Sequence, residues 1–185
     1  MFPSHDHSGK FITFTFSNES LINLENDLGH NTMNAYDIDN AIATLSTRRF
    51  LERWRKKYKK SVKHWFVTEL GGNNTERIHI HGLLWTKEST NTIDKIWSYG
   101  NTWIGDYVTE RTINYIVKYI NKVDHKHKEY KPKILTSAGI GKGYFERNDY
   151  KNNSFKDKDT KEYYKTRSGH KMALPIYYRN KIYHL

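Results

Sequence analysis

Two alternating apolar runs joined by a turn signal constrain this chain more than any other feature in it. Arg77-Ile78-His79-Ile80-His81-Gly82-Leu83-Leu84-Trp85 reads as a β-strand that sets Ile78, Ile80 and Leu84 on one face and His79 and His81 together on the other. His64-Trp65-Phe66-Val67-Thr68-Glu69-Leu70 reads as a second strand, and Gly71-Gly72-Asn73-Asn74 is a turn signal that folds the two back beside each other. Glu69, ten residues before His79, then reaches the face that carries the imidazoles. Two imidazoles and a carboxylate suit a divalent cation. With three protein ligands, positions stay open for water and a substrate oxygen, which is the layout of a catalytic metal site. The competing reading is a surface His pair on an edge strand beside a solvated Glu. His-x-His recurs at His5/His7 and His125/His127, in a polar terminus and in the charged run Lys122 to Lys131, where solvated surface is the plainer reading.

A second constellation lies downstream. Ile113, Ile116, Val117 and Ile120 fall at the spacing of one helix face, in a helix for which Thr109 is a plausible N-cap. Tyr115, Lys118, Tyr119 and Lys122 repeat that spacing two residues later, on a stripe turned roughly 200° away at about 100° per residue. A tyrosine with its ordinary pKa of about 10 is only about one part in a thousand ionised at pH 7. A neighbouring ammonium group favours the phenolate, or neutralises a phosphate or a leaving alkoxide. The alternative is an ordinary helix with amphipathic surface tyrosines.

Composition narrows the partners. Lys and Arg number 31 against 20 Asp and Glu, a net charge of +11, and 15% of residues are aromatic, which suits an anionic partner with bases to stack on. No segment approaches the roughly 20 apolar residues of a membrane span. The polar start Met1-Phe2-Pro3-Ser4-His5-Asp6-His7 is no signal peptide, so a soluble, cytosolic protein is expected. There is no cysteine, so any metal must be held by His and carboxylate.

The remaining elements read as a strand from about Lys10 to Phe16, a polar stretch, and a helix from about Asp39 to Lys57 capped by Asp37 or Asp39. Leu51 and Trp54 anchor that helix, and its basic end includes Arg53 and Lys57, either as DNA contacts or as a solvated face. A short helix near Thr92 to Trp97 and a strand near Asn101 to Val108 follow, so the class is α+β. Gly139-Ile140-Gly141-Lys142-Gly143 could bring backbone amides and Lys142 to phosphates, but it lacks the spacing of a P-loop, and a flexible loop is the simpler reading. With no Walker A sequence, the chain is not expected to be an ATP-driven helicase. The expected organisation is one domain over 1–185: a core of about 10–148, a Lys-rich loop or hairpin arm of about 149–168 that tracks DNA backbone, and a C-terminal segment 169–185.

The His-x-His strand and the downstream Tyr-x-x-Lys helix together resemble the HUH endonucleases, a family that cleaves and rejoins single-stranded DNA through a tyrosine. The doubled unit Tyr115-Ile116-Val117-Lys118-Tyr119-Ile120-Asn121-Lys122 is similar to the replication initiators of small single-stranded DNA phages, the microviruses and their gokushovirus-like relatives. Phe11-Ile12-Thr13-Phe14-Thr15-Phe16 resembles the first motif strand, and Gly139 to Tyr144 and Leu174 to Tyr178 resemble downstream segments, so the likeness spans roughly Phe11 to Tyr178. One departure is Arg77-Ile78, where those relatives commonly have Arg-Pro. The resemblance implies a central antiparallel sheet of about five strands flanked by helices, ferredoxin- or RRM-like, with the tyrosine helix beside it. It implies Mg²⁺ or Mn²⁺ on His79, His81 and Glu69, Tyr115 and Tyr119 as nucleophiles, and Lys118 and Lys122 assisting them. It further implies a nick at a replication origin that leaves a 5′-phosphotyrosyl link and a free 3′-OH for rolling-circle synthesis. Host polymerase and helicase would be partners, in the cytoplasm of a bacterial host. A relaxase or single-strand transposase with the same chemistry, and a non-catalytic single-stranded DNA or RNA binding module, remain as alternatives.

Overall fold

Strand alternation becomes a five-stranded sheet in the structure, a computed structural model that describes residues 9–29, 34–72, 76–106, 108, 112, 126–141, 143, 154–156, 162–165, 169 and 171–173. The elements run β1 (Gly9–Phe14), α1 (Asn18–Leu28), α2 (Ala35–Tyr58), β2 (Lys63–Leu70), β3 (Ile78–Trp85), α3 (Thr90–Trp97), β4 (Thr102–Gly105) and β5 (Ile134–Thr136). Spatial order is β4-β1-β3-β2-β5 with every neighbouring pair antiparallel, so the α+β class with a central antiparallel sheet is as expected. The chain divides into two compact units after Ala138. In the second, β6 (Ser154–Lys156), β7 (Glu162–Lys165) and β8 (Lys171–Ala173) form a separate three-stranded antiparallel sheet. No helix among the described residues is long and apolar enough to cross a membrane.

One face of the five-stranded sheet carries the core. Ile12, Phe14, Phe66, Ile78, Ile80 and Leu84 point to it and pack with Leu24 of α1, Phe50 and Trp54 of α2, and Ile93 and Trp97 of α3. Phe14 stacks on Trp97 with ring centroids 4.2 Å apart, and the Trp97 indole N–H donates to the Thr15 carbonyl at 2.9 Å, which fixes α3 against the end of β1. Because side chains alternate, placing Ile78 and Ile80 in this core sends His79 and His81 to the opposite face.

Two expectations for the first third are corrected. The polar stretch after β1 contains α1, capped by Ser17, whose hydroxyl accepts from the Ser20 amide; Leu21, Leu24 and Leu28 form its buried stripe. α2 begins earlier than read, at an Asn34 cap whose side-chain oxygen accepts from the Asp37 amide at 2.9 Å. Asp37 therefore sits inside the first turn, bonded back to the Asn34 amide group at 2.7 Å, and neither Asp37 nor Asp39 is the cap. At the other end, Arg53 donates to the carbonyls of Ile96 and Trp97, both at 2.8 Å, and to the Tyr99 hydroxyl at 3.0 Å. Its guanidinium closes the C-terminus of α3, while Lys57 is exposed.

Gly82 sits at the tightest point of the sheet, paired with Phe66 on one side and Ile12 on the other. A Cβ there would stand 2.2 Å from the Trp65 carbonyl oxygen and 2.7 Å from the Phe66 Cα, both backbone atoms that move only with the strand. Overpacking of this kind costs about 3 kcal/mol, which corresponds to about 6–12 °C of melting temperature in a chain of this size. Gly82→Ala is expected to show that loss in a thermal melt, against no change for Gly72→Ala, where an added methyl meets nothing within 4 Å. A Gly82→Ala melt within a degree or two of the parent would contradict the backbone placement.

Candidate active site

The hairpin register brings the sequence-predicted ligands together. Glu69 is the direct cross-strand partner of His79, and Val67 that of His81, so both imidazoles and the carboxylate stand on the face away from the helices. Glu69 Oε2 lies diagonally 3.0 Å from His81 Nε2, with both side chains mostly withdrawn from water. The far nitrogen of that ring, Nδ1, is 3.0 Å from the Thr13 hydroxyl, which β1 places directly opposite His81. Thr13 therefore orients the imidazole and leaves Nε2 directed at Glu69. Its strand was legible in the alternation of Phe11 to Phe16, but its role depends on the β1–β3 register, which no local pattern reveals.

His79 completes the row with its ring centroid 6.3 Å from that of His81. Burial first, then the neighbouring His81, lower its pKa below the ordinary histidine value, against the opposing pull of Glu69. The ring is thus kept neutral, the form in which an imidazole nitrogen donates to a metal. It lies against Gly71, where a Cβ would meet its Cε1 at 2.8 Å.

This donor set, two imidazoles and a carboxylate, fits a hard or borderline divalent cation. The 3.0 Å between Glu69 and His81 is also the spacing of neighbouring donors in an octahedron with bonds of about 2.1 Å. Among the described residues, no three His, Asp or Glu side chains already converge as a metal-holding group. The Glu69–His81 contact closes directly, and His79 has to turn toward it to add the third donor.

The site stands on a rigid floor. Thr68, next to Glu69 but facing the helices, donates its hydroxyl to Asn40 Oδ1 at 2.7 Å and accepts from the Tyr130 hydroxyl at 2.8 Å and the Lys133 amide at 2.7 Å. One donor and two acceptor positions are the full capacity of a threonine hydroxyl, so β2 is pinned beside the carboxylate. Burial raises the pKa of Tyr130, which stays a neutral structural phenol and is excluded as a nucleophile.

Other predicted residues are not brought to this face. Arg53 and Lys57 belong to α2, which packs on the opposite side of the sheet. His127 of the third His-x-His pair lies 3.5 Å from Glu76 and edge-on to Tyr36. Ala138 to Gly141 form a turn in which Gly139 and Gly141 adopt positive φ of 75° and 80°. Tyr115, Lys118, Tyr119, Lys122, Lys142, Thr109, His5, His7, His125 and Leu174 to Tyr178 lie outside the described residues; Thr112 is helical.

Comparison with curated proteins and with solved structures returns no match. A family model does match, over residues 9–124, which takes in β1, the Glu69, His79 and His81 hairpin and the doubled tyrosine motif. That match covers well over half of the chain, which therefore belongs to the ORF2-type family of replication-associated proteins.

Proposed function

We propose that this replication-associated protein is an HUH-type initiator of the kind found in small single-stranded DNA phages, which nicks and rejoins single-stranded DNA at a replication origin. The observation that carries the reading is the shared face of Glu69, His79 and His81, with His81 held between Thr13 and Glu69. Glu69, His79 and His81 would hold a Mg²⁺ or Mn²⁺ ion, which when bound supplies positive charge to the non-bridging oxygens of a phosphate. Tyr115 or Tyr119 supplies the nucleophile: its phenolic oxygen forms a bond to phosphorus, the bond from phosphorus to the 3′ oxygen breaks, and the phenolic proton ends on that oxygen. Lys118 and Lys122 favour the phenolate and the departing alkoxide. The products are a 5′-phosphotyrosyl link and a free 3′-OH. The phosphotyrosyl bond retains the energy of the phosphodiester, so rejoining requires no ATP. A host polymerase would extend the 3′-OH and a host helicase would open the duplex. Lys57 and Lys142 would add backbone attraction within a net charge of +11.

The test is incubation with a library of single-stranded oligonucleotides in Mn²⁺, followed by a denaturing gel. A covalent protein–DNA band that disappears on chelation is expected. Retained binding with no covalent band under any divalent ion would overturn the reading in favour of a binding module.

A further inference from the structure

We propose that Trp103 is a base-stacking platform that holds a nucleotide of the single strand beside the candidate active site; this rests on the single-stranded DNA reading above. Cross-strand pairing sets Trp103 opposite Thr13, Thr13 opposite His81, His81 opposite Val67 and Val67 opposite Ile134. These residues form one row across all five strands, with His81 at its centre. The two ends of the row, Trp103 at 55% and Ile134 at 43%, are exposed, and among the described large apolar residues only Ile22 shares that character. By contrast, Trp54, Trp85 and Trp97 are all buried. At the ordinary strand spacing, Trp103 stands roughly 10 Å from His81, the scale of one nucleotide.

The indole is also held in place. It reaches along β4 over Gly105, where a Cβ would lie 3.2 Å from its Cη2, so the absence of a side chain at Gly105 lets the ring approach the strand. The ring meets Phe11 edge to face with centroids 5.5 Å apart. Phe11 in turn lies nearly parallel to the His81 ring, at 6.5 Å and 20°. A large aromatic surface anchored on one side and open on the other, in line with a phosphate-directed histidine, matches the π-face of a nucleobase. Every base offers such a face, so the contact binds without reading sequence. The net charge of +11 attracts the sugar–phosphate backbone at many points, whereas Trp103 acts on the base alone.

The experiment separates those two parts by comparing a fluorescein-labelled oligothymidylate with an abasic oligomer of equal length. Fluorescence anisotropy is read in EDTA at fixed salt, so that cleavage plays no part. Trp103→Ala is expected to weaken oligothymidylate binding about tenfold and to leave abasic binding unchanged, while Trp103→Phe stays within about threefold of the parent. Because Trp103 is exposed, both variants are expected to melt with the parent; the Phe variant retains the ring if truncation disturbs β4. Equal affinity of Trp103→Ala and parent for oligothymidylate, or an equal loss on the abasic strand, would overturn the platform while leaving the nicking reading in place. Base-dependent binding through Trp103 without any covalent band in Mn²⁺ would support the platform and sink the nicking reading. No binding of oligothymidylate by the parent would overturn both.

Discussion

Replacing both Tyr115 and Tyr119 by phenylalanine is expected to remove every trace of covalent protein–DNA adduct, whereas either change alone leaves some single nicking. The two phenols are four residues apart in a segment whose apolar positions, Ile113, Ile116, Val117 and Ile120, repeat with helical spacing. Residues one turn apart on a helix are neighbours, so both hydroxyls can serve one phosphate site in alternation. One tyrosine would hold the 5′ end from the first cut while the other cleaves the regenerated origin; the released 3′-OH then attacks the first phosphotyrosine and closes the circle. Tyr115 is the favoured first nucleophile, since it opens the motif and Lys118 lies at the centre of the polar stripe. The phenylalanine exchange removes only an oxygen, so DNA binding is expected to persist in the double variant. An adduct formed by the double variant would place the nucleophile elsewhere. Complete loss of activity in one single variant, with wild-type termination in the other, would refute alternation.

How much of this was legible before folding differs by element, and the physical reasons differ too. β2 and β3 match the sequence reading to the residue, because alternation over eight positions and a Gly-Gly-Asn-Asn break leave one register that buries Ile78 and Ile80. α1 escaped because Asn and acidic residues dominate its surface, although Ser17 followed by Leu21, Leu24 and Leu28 was a usable signal. β4 is shorter than read, Thr102–Gly105. β5 has no local signature: three residues, Ile134–Thr136, are strand only because β2 pairs with them, assisted by the Lys133 carbonyl accepting from the Thr68 amide.

The candidate site divides the same way. Glu69 followed from the hairpin, since folding β2 onto β3 puts residue 69 across from residue 79. Thr13 and Trp103 did not follow, because each reaches the His81 row through pairing between strands far apart in the chain. Arg53 shows the opposite failure. Composition grouped it with a basic helix end, but only the packed structure reveals the carbonyls of Ile96 and Trp97 that its guanidinium serves. Charge reversal there would test the end of α3 as much as any DNA contact, which makes exposed Lys57 the cleaner probe of the helix.

Truncating the ligand row is the second large effect. Glu69→Ala and His81→Ala are each expected to lower Mn²⁺-dependent oligonucleotide cleavage at least about a hundredfold, since a cation clamp on a phosphate is worth several kcal/mol. Binding of the same oligonucleotide in EDTA should change little, because the net charge of +11 is spread over many Lys and Arg and exceeds what one site contributes. The double variant should be no worse than the poorer single one: Glu69 and His81 are in direct contact at 3.0 Å and act as a unit, so removing either removes what the pair does. Thr13→Val provides the graded case. It removes the hydroxyl from His81 Nδ1 while retaining a β-branched strand residue, and a loss of about 10–100-fold in metal affinity is expected from releasing the ring. Mn²⁺ titration of cleavage, paired with a thermal melt of each variant, reads both effects. Parental cleavage by His81→Ala at low Mn²⁺, from a protein that melts with the parent, would place the chemistry away from this face.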